Sequence, residues 1–264
     1  MVKQRLSNLL FIINKEILNI NSMKMKKILI YGLSNMYGGV EAFILNYVNH
    51  LPENKYTVEL IIMNRTPQYL GEKLKREVKI HYVPERIKNP LGYNCRVNEI
   101  VKKGNYDILW CNFCTLSDIT WLKAAKKYGI PVRIAHSHNS ENMGSKLVLI
   151  SHLQHKKAIS KYVTHFFACS DVAGKFMFGD NIVKQNNYCL INNAIETDKY
   201  SYNENIRMKT RLDLKISDKI VITNVGRFHF QKNHSFLVNV FSEFYKKYPT
   251  SVLLLIGDGE LMEE

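Results

Sequence analysis

The sequence predicts an α/β protein whose strands form parallel sheets. Short apolar runs of the kind that form buried parallel strands alternate along the chain with segments of helical periodicity. Such alternation is typical of βαβ units, in which helices cover both faces of a parallel sheet. A long polar stretch at 197–218 interrupts the alternation, which indicates two sheet domains rather than one.

The first domain, 25–196, is predicted to hold a complete Rossmann-like parallel sheet. Its first strand ends at Gly32, and a glycine-containing loop then leads into a helix that starts at about Val40. Ser170 is placed to cap a later helix, because its hydroxyl can accept from a free N–H of the first turn. The predicted strands are 27–31, 58–63, 78–83, 108–111, 131–135 and 164–169, and the predicted helices are 40–51, 97–103, 119–128 and 146–162.

The second domain is predicted to begin after a linker at 197–218. It consists of a strand at 219–225, a helix at 235–248 and a strand at 252–256, which together make one βαβ unit. Two strands and one helix cannot cover both faces of a sheet. The sequence therefore predicts that 219–264 is the first βαβ unit of a second Rossmann-like domain that is incomplete here.

Residues 1–24 form an extension with apolar residues at helical spacing, among them Leu6, Leu10, Ile13 and Ile17. One hypothesis is an amphipathic helix that lies at a membrane interface. The other is a start codon assigned too far upstream, since the run that begins at Met23 resembles a natural beginning.

Composition and charge narrow the classes of partner. The 264 residues carry a formal net charge of +14, with 46% hydrophobic and 23% charged residues, so the chain is globular and an anionic partner is expected. No zinc-finger, RNP or helix-turn-helix signature is present, which disfavours nucleic acid. An anionic membrane surface and a phosphate-bearing ligand remain, and a lysine-rich genome is the alternative explanation of the charge.

Cysteine usage predicts a cytoplasmic protein. Five cysteines are an odd number without a secretory signal, which favours a reducing compartment. Cys111 and Cys114 have metal-ligand spacing, but no second pair accompanies them, so the spacing is interpreted as incidental. No stretch has the roughly 20 apolar residues that a membrane-spanning helix needs.

Gly38 and Gly39 precede the first helix and allow its N–H groups to come close to an anionic ligand. A tight turn explains the pair almost as well. The spacing does not match the G-x-G-x-x-G fingerprint of dinucleotide-binding proteins, which disfavours an oxidoreductase.

His136 is the candidate catalytic residue, because the run His136-Ser-His-Asn139 comes at a strand end, where parallel sheets bind ligands. A zinc site would need a third ligand, and no cysteine or H-E-x-x-H pattern lies close in the sequence. No metal site is therefore predicted, and a histidine pair without chemistry remains the alternative.

The most informative pattern is a pair of strand ends that turn through glycine with two cations between them. The first strand ends in Gly226-Arg227 with Lys232 shortly after, and the second ends in Gly257-Asp258-Gly259. Arginine binds phosphate in a bidentate manner and lysine adds a compact charge, so the pattern predicts a phosphate-binding cradle. Either cation alone would be interpreted as a solvated surface residue.

Five motifs in order resemble the GT-B-fold glycosyltransferases, and in particular the retaining family 4, which builds bacterial capsular polysaccharides and exopolysaccharides. They are Tyr37-Gly-Gly-Val-Glu41, Ala135-His-Ser-His-Asn139, Asn193-Ala-Ile-Glu196, Gly226-Arg-Phe-His-Phe-Gln-Lys-Asn233 and Gly257-Asp-Gly259. The resemblance covers about 25–264. It implies two Rossmann-like domains, with the acceptor on the N-terminal one and a nucleotide-sugar on the C-terminal one.

The resemblance also implies roles for the candidate residues. Arg227 and Lys232 would hold the donor diphosphate, and Gly226 and the turn 257–259 would line the nucleotide site. Gly38-Gly39 would approach the donor phosphates, and His136 would touch the transferred sugar. No D-x-D motif occurs, which agrees with a reaction that needs no metal or other cofactor. The donor would be a UDP- or GDP-linked hexose.

The implied acceptor is a glycan or a lipid-linked glycan, and the implied location is the cytoplasm, at the inner face of the plasma membrane. Two departures stand out. Ala194 replaces the glycine that commonly follows Asn193, and the family's E-x7-E motif is expected beyond Glu264. The chain is therefore expected to be C-terminally truncated and to bind donor weakly by itself, and a non-catalytic module associated with membrane or glycan is the alternative.

Overall fold

The computed structural model describes residues 25–142 and 144–263. The chain divides into two compact units, Met1–Thr197 and Asp198–Glu264. The predicted extension 1–24 lies outside the described residues.

The first unit is built on a seven-stranded, fully parallel sheet with the strand order β3-β2-β1-β4-β5-β6-β7. The order reverses beside β1, so the sheet is doubly wound, and its ligand-binding crevices are expected at the carboxyl ends of the strands. The strands are β1 (Lys26–Tyr31), β2 (Tyr56–Met63), β3 (Lys79–Val83), β4 (Ile108–Phe113), β5 (Val132–Ser137), β6 (His165–Ala168) and β7 (Tyr188–Leu190).

Helices cover both faces of this sheet and bury two apolar cores. One core lies under α1 and α2, and the other lies under α3, α4 and α6. Because both faces are covered, the central strands are almost wholly apolar, as parallel strands require. The helices are α1 (Gly39–His50), α2 (Gln68–Lys73), α3 (Pro90–Gly104), α4 (Thr120–Lys127), α5 (Lys146–Ala158) and α6 (Asp171–Phe178), and a 3-10 turn (Ile159–Lys161) continues α5.

The fold class predicted from the sequence is confirmed, but some element boundaries differ. The helix predicted at 97–103 begins at Pro90, because the Asn89 side chain caps it by accepting from the Gly92 N–H and proline fits the first helical position. Helix α2 and strand β7 were not predicted as elements, since six and three residues give no measurable periodicity. Strand β5 continues to Ser137, so His136 lies within the strand and not after its end at 135, as the sequence predicted.

The second unit contains a two-stranded parallel sheet, β8 (Ile220–Val225) and β9 (Ser251–Ile256), joined by α8 (His234–Lys247). Before it, the stretch predicted as a linker contains α7 (Glu204–Asp213), which the Asn203 side chain caps. Among the helices of the described ranges, none is long and apolar enough to cross a membrane.

Candidate functional site

The carboxyl edge of the first unit's sheet is shaped by close packing of β1 against β4. Gly32 ends β1 with φ +131°, and a Cβ there would lie 2.6 Å from the Asn112 Cβ. A side chain cannot be accommodated at that distance, so packing alone requires glycine at this position. The loop that follows is thereby directed along the edge toward the N-terminus of α1.

Two buried side chains hold the backbone of Ser34 within this loop. The Glu41 carboxylate accepts from the Ser34 N–H at 3.0 Å, and the Tyr69 hydroxyl donates to the Ser34 carbonyl at 2.6 Å. The Tyr37 ring packs against Tyr69 with centroids 5.3 Å apart. Because the N–H and the carbonyl of one residue are both fixed from the protein interior, the loop has a defined conformation without any ligand.

Gly39, at the start of α1, is not required by packing in the way that Gly32 is. Gly38 is the N-cap with an extended backbone and no side-chain cap. At Gly39 an added Cβ would meet no atom within 4 Å. The space beside Gly39 is therefore open at the N-terminus of α1, which is compatible with the approach of an anion.

Glu41 is an unusual residue for this position, since its side chain is buried with 6% exposure. Within the described ranges the structure gives it no ion pair with lysine, arginine or histidine. A buried carboxylate without a cationic partner costs folding free energy, so its retention favours a role in shaping the loop. Its place in the first turn of α1 offsets part of that cost, because the helix dipole favours negative charge there.

His136 lies wholly inside the first unit, at 0% exposure, and neither ring nitrogen has a hydrogen-bond partner among the described residues. Its ring lies edge-on to Phe43, with centroids 4.7 Å apart, and stacks on His138 at 4.4 Å. Burial, together with the neighbouring His138, holds the pKa of His136 well below its ordinary value. The imidazole is therefore neutral, and its sugar-contact role stays a prediction.

His138 is the half-buried member of the pair and follows directly after β5. Its Nε2 lies 2.9 Å from Asn112 Oδ1, while Asn112 Nδ2 donates to the Tyr31 carbonyl at 3.2 Å. The carbonyl partner fixes the amide orientation, so His138 Nε2 must carry the hydrogen and Nδ1 must be the acceptor. Burial lowers the pKa of His138 to about 4, which keeps the ring neutral at physiological pH.

A polar cavity of about 410 Å³ opens at the same edge of the first unit, lined by Asn35, Arg65, Thr66, Pro67 and Gln68. Asn35 belongs to the loop that Glu41 and Tyr69 hold. Amide, hydroxyl and guanidinium groups bind sugar hydroxyls and phosphates well, so the lining suits a polar ligand. No group of three His, Cys, Asp or Glu side chains in the described ranges is arranged to hold a metal ion.

In the second unit, the predicted glycine cradle is formed by two adjacent strand ends. Val225 pairs with Ile256, so the turns after β8 and β9 lie side by side. The Gly226 N–H donates to the Ile256 carbonyl at 2.9 Å, and the Phe228 N–H donates to the Asp258 carbonyl at 3.0 Å. A Cβ at Gly257 would lie 1.9 Å from the Gly226 carbonyl oxygen, so the two turns touch through their backbones.

Gly259 completes the cradle with φ +155°, where a Cβ would lie 2.3 Å from the Phe228 carbonyl oxygen. The Asp258 carboxylate accepts from the Gly259 N–H at 2.7 Å and stabilises this turn. The donor-binding role of Asp258 stays a prediction, and in the structure its carboxylate is engaged within the turn.

Arg227 and Lys232 are both exposed, and no ion pair within the described ranges engages either of them. The aliphatic part of Lys232 passes over Gly226, with Cε 3.4 Å from the position that a Cβ there would occupy. Asn233 then caps α8 with a left-handed backbone and a side chain that accepts from the Phe236 N–H. Lys232 thus directly precedes the N-cap of α8, and the exposed Arg227 follows β8 in the same connection, which is a suitable setting for an anion.

The structure therefore brings Gly226, Arg227, Lys232 and the 257–259 turn together in the second unit, and places Gly38, Gly39 and His136 in the first. Sequence reasoning missed the contributions of Glu41, Tyr69, Asn112 and His138. Glu41 and His138 were part of the quoted motifs, and buried polar residues in apolar surroundings were the available signal. Tyr69 and Asn112 gave no such signal, because their partners Ser34 and His138 are far from them in the sequence.

Known proteins resemble this chain in sequence and in fold. The sequence profile of Glycosyltransferase Family 4 matches residues 37–199. EpsF of Bacillus subtilis strain 168, whose name describes a glycosyltransferase, is 28% identical over 249 residues, covering 90% of this chain and 64% of EpsF. The UDP-Gal:alpha-D-GlcNAc-diphosphoundecaprenol alpha-1,3-galactosyltransferase of Escherichia coli is 24% identical, covering 88% of this chain and 62% of that protein.

Among solved structures, Anabaena Alr3699/HepE in complex with UDP and glucose shares the fold. The TM-score is 0.66 at 16% identity, covering 91% of this chain and 63% of HepE. The chain thus spans less than two thirds of the length of the relatives that it matches.

The profile match covers more than half of the chain, and the parallel sheet and the motif order agree with it. On this evidence the chain belongs to glycosyltransferase family 4.

Proposed function

We propose that this protein transfers a hexose, with retention of anomeric configuration, from a nucleotide-sugar to a glycan or lipid-linked glycan acceptor in polysaccharide biosynthesis. The observation that carries the proposal is the cradle of the second unit, where two glycine turns touch through their backbones and leave Arg227 and Lys232 exposed before α8. This cradle would hold the diphosphate of the donor. Membership of a transferase family favours this enzyme over a non-catalytic module.

In the proposed reaction, the bond between the anomeric carbon and the donor diphosphate breaks, and the acceptor hydroxyl oxygen bonds to that carbon. The hydroxyl proton is released, and the nucleoside diphosphate leaves with more negative charge than it had as an ester. Arg227 and Lys232 would stabilise that growing charge, and no metal or other cofactor is invoked. Gly226, Gly257 and Gly259 would let the nucleotide approach the backbone.

In the first unit, the N–H groups at Gly38 and Gly39 and a neutral imidazole are the candidates for binding the donor phosphates and the transferred sugar. The sequence assigned that contact to His136, but His138 is the more accessible ring, with His136 stacked behind it. We therefore assign the sugar contact to His138 and the support of that ring to His136. The polar cavity that Arg65 lines is the proposed acceptor site.

We propose UDP as the donor nucleotide. HepE is described in complex with UDP and with UDP-glucose, and the name of the E. coli relative specifies UDP-Gal. The name of that relative also specifies a diphosphoundecaprenol acceptor, which supports a lipid-linked acceptor and a location at the inner face of the plasma membrane.

The proposal is tested by UDP-hexose binding and by sugar transfer in the Arg227→Ala variant. We expect the dissociation constant for UDP to rise by about tenfold or more, because a charge-assisted bidentate contact is lost. Isothermal titration calorimetry gives the constant, and release of UDP reports transfer.

Arg207→Ala is the matched control, since Arg207 is another exposed arginine of the second unit and pairs with Glu204 at 3.4 Å. Equal UDP affinity in wild type and Arg227→Ala would show that Arg227 does not hold the donor diphosphate. Failure of the wild type to bind any nucleoside diphosphate would favour the alternative, a non-catalytic module.

A further inference from the structure

Helix α5 turns three large apolar side chains toward solvent, unlike an ordinary surface helix. Leu147, Ile150 and Leu153 are 75%, 52% and 49% exposed. At about 100° per residue these three side chains lie on one face of the helix. A helix of a globular protein normally turns such residues toward the core, so this outward apolar stripe needs an explanation.

Polar contacts on the inward face fix this orientation. The Leu116 N–H donates to His152 Nδ1 at 3.1 Å, and His155 Nδ1 lies 2.6 Å from the Leu116 carbonyl. Lys156 Nζ donates to the Phe176 carbonyl at 2.6 Å. The His152 ring also stacks on Phe176, with centroids 4.7 Å apart. Rotation of the helix to bury its leucines would break all of these contacts, so the apolar stripe is part of the folded structure.

The charge around the stripe has one sign. Between Ser145 and Tyr162 the sequence contains no aspartate or glutamate, while Lys146 and Lys157 flank the exposed apolar residues and Lys161 follows in the 3-10 turn. Aliphatic side chains surrounded by lysine are typical of helices that lie in the interface of an anionic bilayer. Protein interfaces instead favour aromatic residues, methionine and arginine and are depleted in lysine, and the outward face of α5 carries none of the favoured types.

The position of the helix also suits a membrane enzyme. Helix α5 begins just after the loop that follows His138, at the carboxyl edge of the sheet where the candidate site of the first unit lies. A lipid-linked acceptor in a membrane bound by α5 would therefore lie close to the candidate site of the first unit.

We propose that the outward face of α5, formed by Lys146, Leu147, Ile150, Leu153 and Lys157, docks on an anionic phospholipid surface. This inference deepens the proposed function, on which it rests for a membrane-borne acceptor. It concerns lipid binding alone, and it is tested without sugar transfer.

The test is sedimentation of the full chain with vesicles of phosphatidylcholine, with and without phosphatidylglycerol. We expect binding to the anionic vesicles, and a loss of at least about tenfold in the triple variant Leu147→Ser, Ile150→Ser and Leu153→Ser. This variant keeps every charge and also residues 1–24, so diffuse attraction by the net charge of +14 is unchanged. Ile206→Ser with Leu212→Ser is the matched control, since both residues are exposed aliphatics of α7.

A second measurement covers the case in which the triple variant does not fold. In the single variant Ile150→Trp, the new indole should be quenched by brominated lipid, while Trp110 and Trp121 are buried and should not be. Equal vesicle binding by wild type and triple variant, or an introduced indole that stays unquenched on bound protein, would overturn the inference. UDP affinity measured in the same variants separates the two proposals, because α5 contributes no residue to the cradle.

Discussion

At the residue scale, Glu41 is the side chain whose environment argues most for a function. Its carboxylate is buried, has no cationic partner among the described residues, and holds the Ser34 N–H. Tyr69 holds the carbonyl of the same residue. The pair therefore gives the loop before Gly38 and Gly39 its conformation, although neither need touch a ligand.

Substitutions of Glu41 distinguish its role as a hydrogen-bond acceptor for the Ser34 N–H from the role of its negative charge. Glu41→Gln keeps an oxygen for the Ser34 N–H, so we expect UDP-hexose affinity close to that of wild type. Glu41→Ala leaves that N–H unsatisfied, and we expect a loss of about 1 to 3 kcal/mol in the free energy of unfolding together with weaker binding. Urea unfolding and calorimetry give both numbers. If Glu41→Gln folds normally but binds as poorly as Glu41→Ala, the negative charge itself is required.

At the element scale, the start of α1 shows how a glycine can be kept for a ligand and not for packing. A side chain at Gly32 would collide with β4, whereas one at Gly39 would meet no protein atom within 4 Å. The glycines that follow β1 are therefore explained in two different ways: Gly32 by packing against β4, and Gly39 by space for a ligand.

Gly39→Ala tests the ligand explanation. We expect unchanged or slightly higher stability, because alanine favours the helix, by up to about 1 kcal/mol. We also expect weaker binding of UDP-hexose, since the new methyl group occupies the approach to the helix N–H groups. Thermal unfolding and calorimetry measure the two effects. Gly71→Ala in α2 is the matched control, because its Cβ also meets nothing within 4 Å. If Gly39→Ala and Gly71→Ala bind UDP-hexose with the same affinity, Gly39 is needed only for the turn before α1 and not for ligand binding.

At the scale of the whole molecule, a buried polar cluster joins β2 and the edge strand β3 of the first unit to β1 and to the segment that follows α3. The Glu59 carboxylate, 3% exposed, lies 2.5 Å from His81 Nε2 and 2.8 Å from Lys27 Nζ, and Tyr106 donates to it at 2.6 Å. Burial raises the pKa of Glu59, but the hydrogen bonds from His81, Lys27 and Tyr106 outweigh it and lower the pKa to about 2.

This cluster predicts acid sensitivity. The folded-state pKa lies below the unfolded value of 4.5, so the stabilisation is fully present above pH 4.5 and is lost as the pH falls toward about 2. We expect wild type to lose roughly 2 to 3 kcal/mol over that window relative to Glu59→Gln. Urea unfolding followed through Trp110 and Trp121, both in the first unit, measures it. Glu77→Gln is the surface control, and parallel pH profiles of the two variants would contradict the prediction.

The periodic apolar runs were sufficient to predict the parallel fold, most strands and most helices, because burial on both faces requires continuous apolar strands. They were insufficient for α2, α7 and β7, and for the start of α3, where a cap and a proline decide the boundary. The glycine cradle was predictable as well, since parallel strands place their carboxyl ends side by side. The orientation of α5 was not, because its periodicity is helical whichever face turns inward.

The sequence by itself determined the fold class, the family resemblance and the identity of Arg227, Lys232 and the glycines, since each depends on residue type and spacing along the chain. Only the tertiary structure decided which of these residues are free to meet a ligand. It buried His136 behind His138, gave Glu41 and Tyr69 a common partner in Ser34, and turned Leu147, Ile150 and Leu153 of α5 outward. Accessibility and partnership depend on residues far apart in the chain, and local spacing carries no information about them.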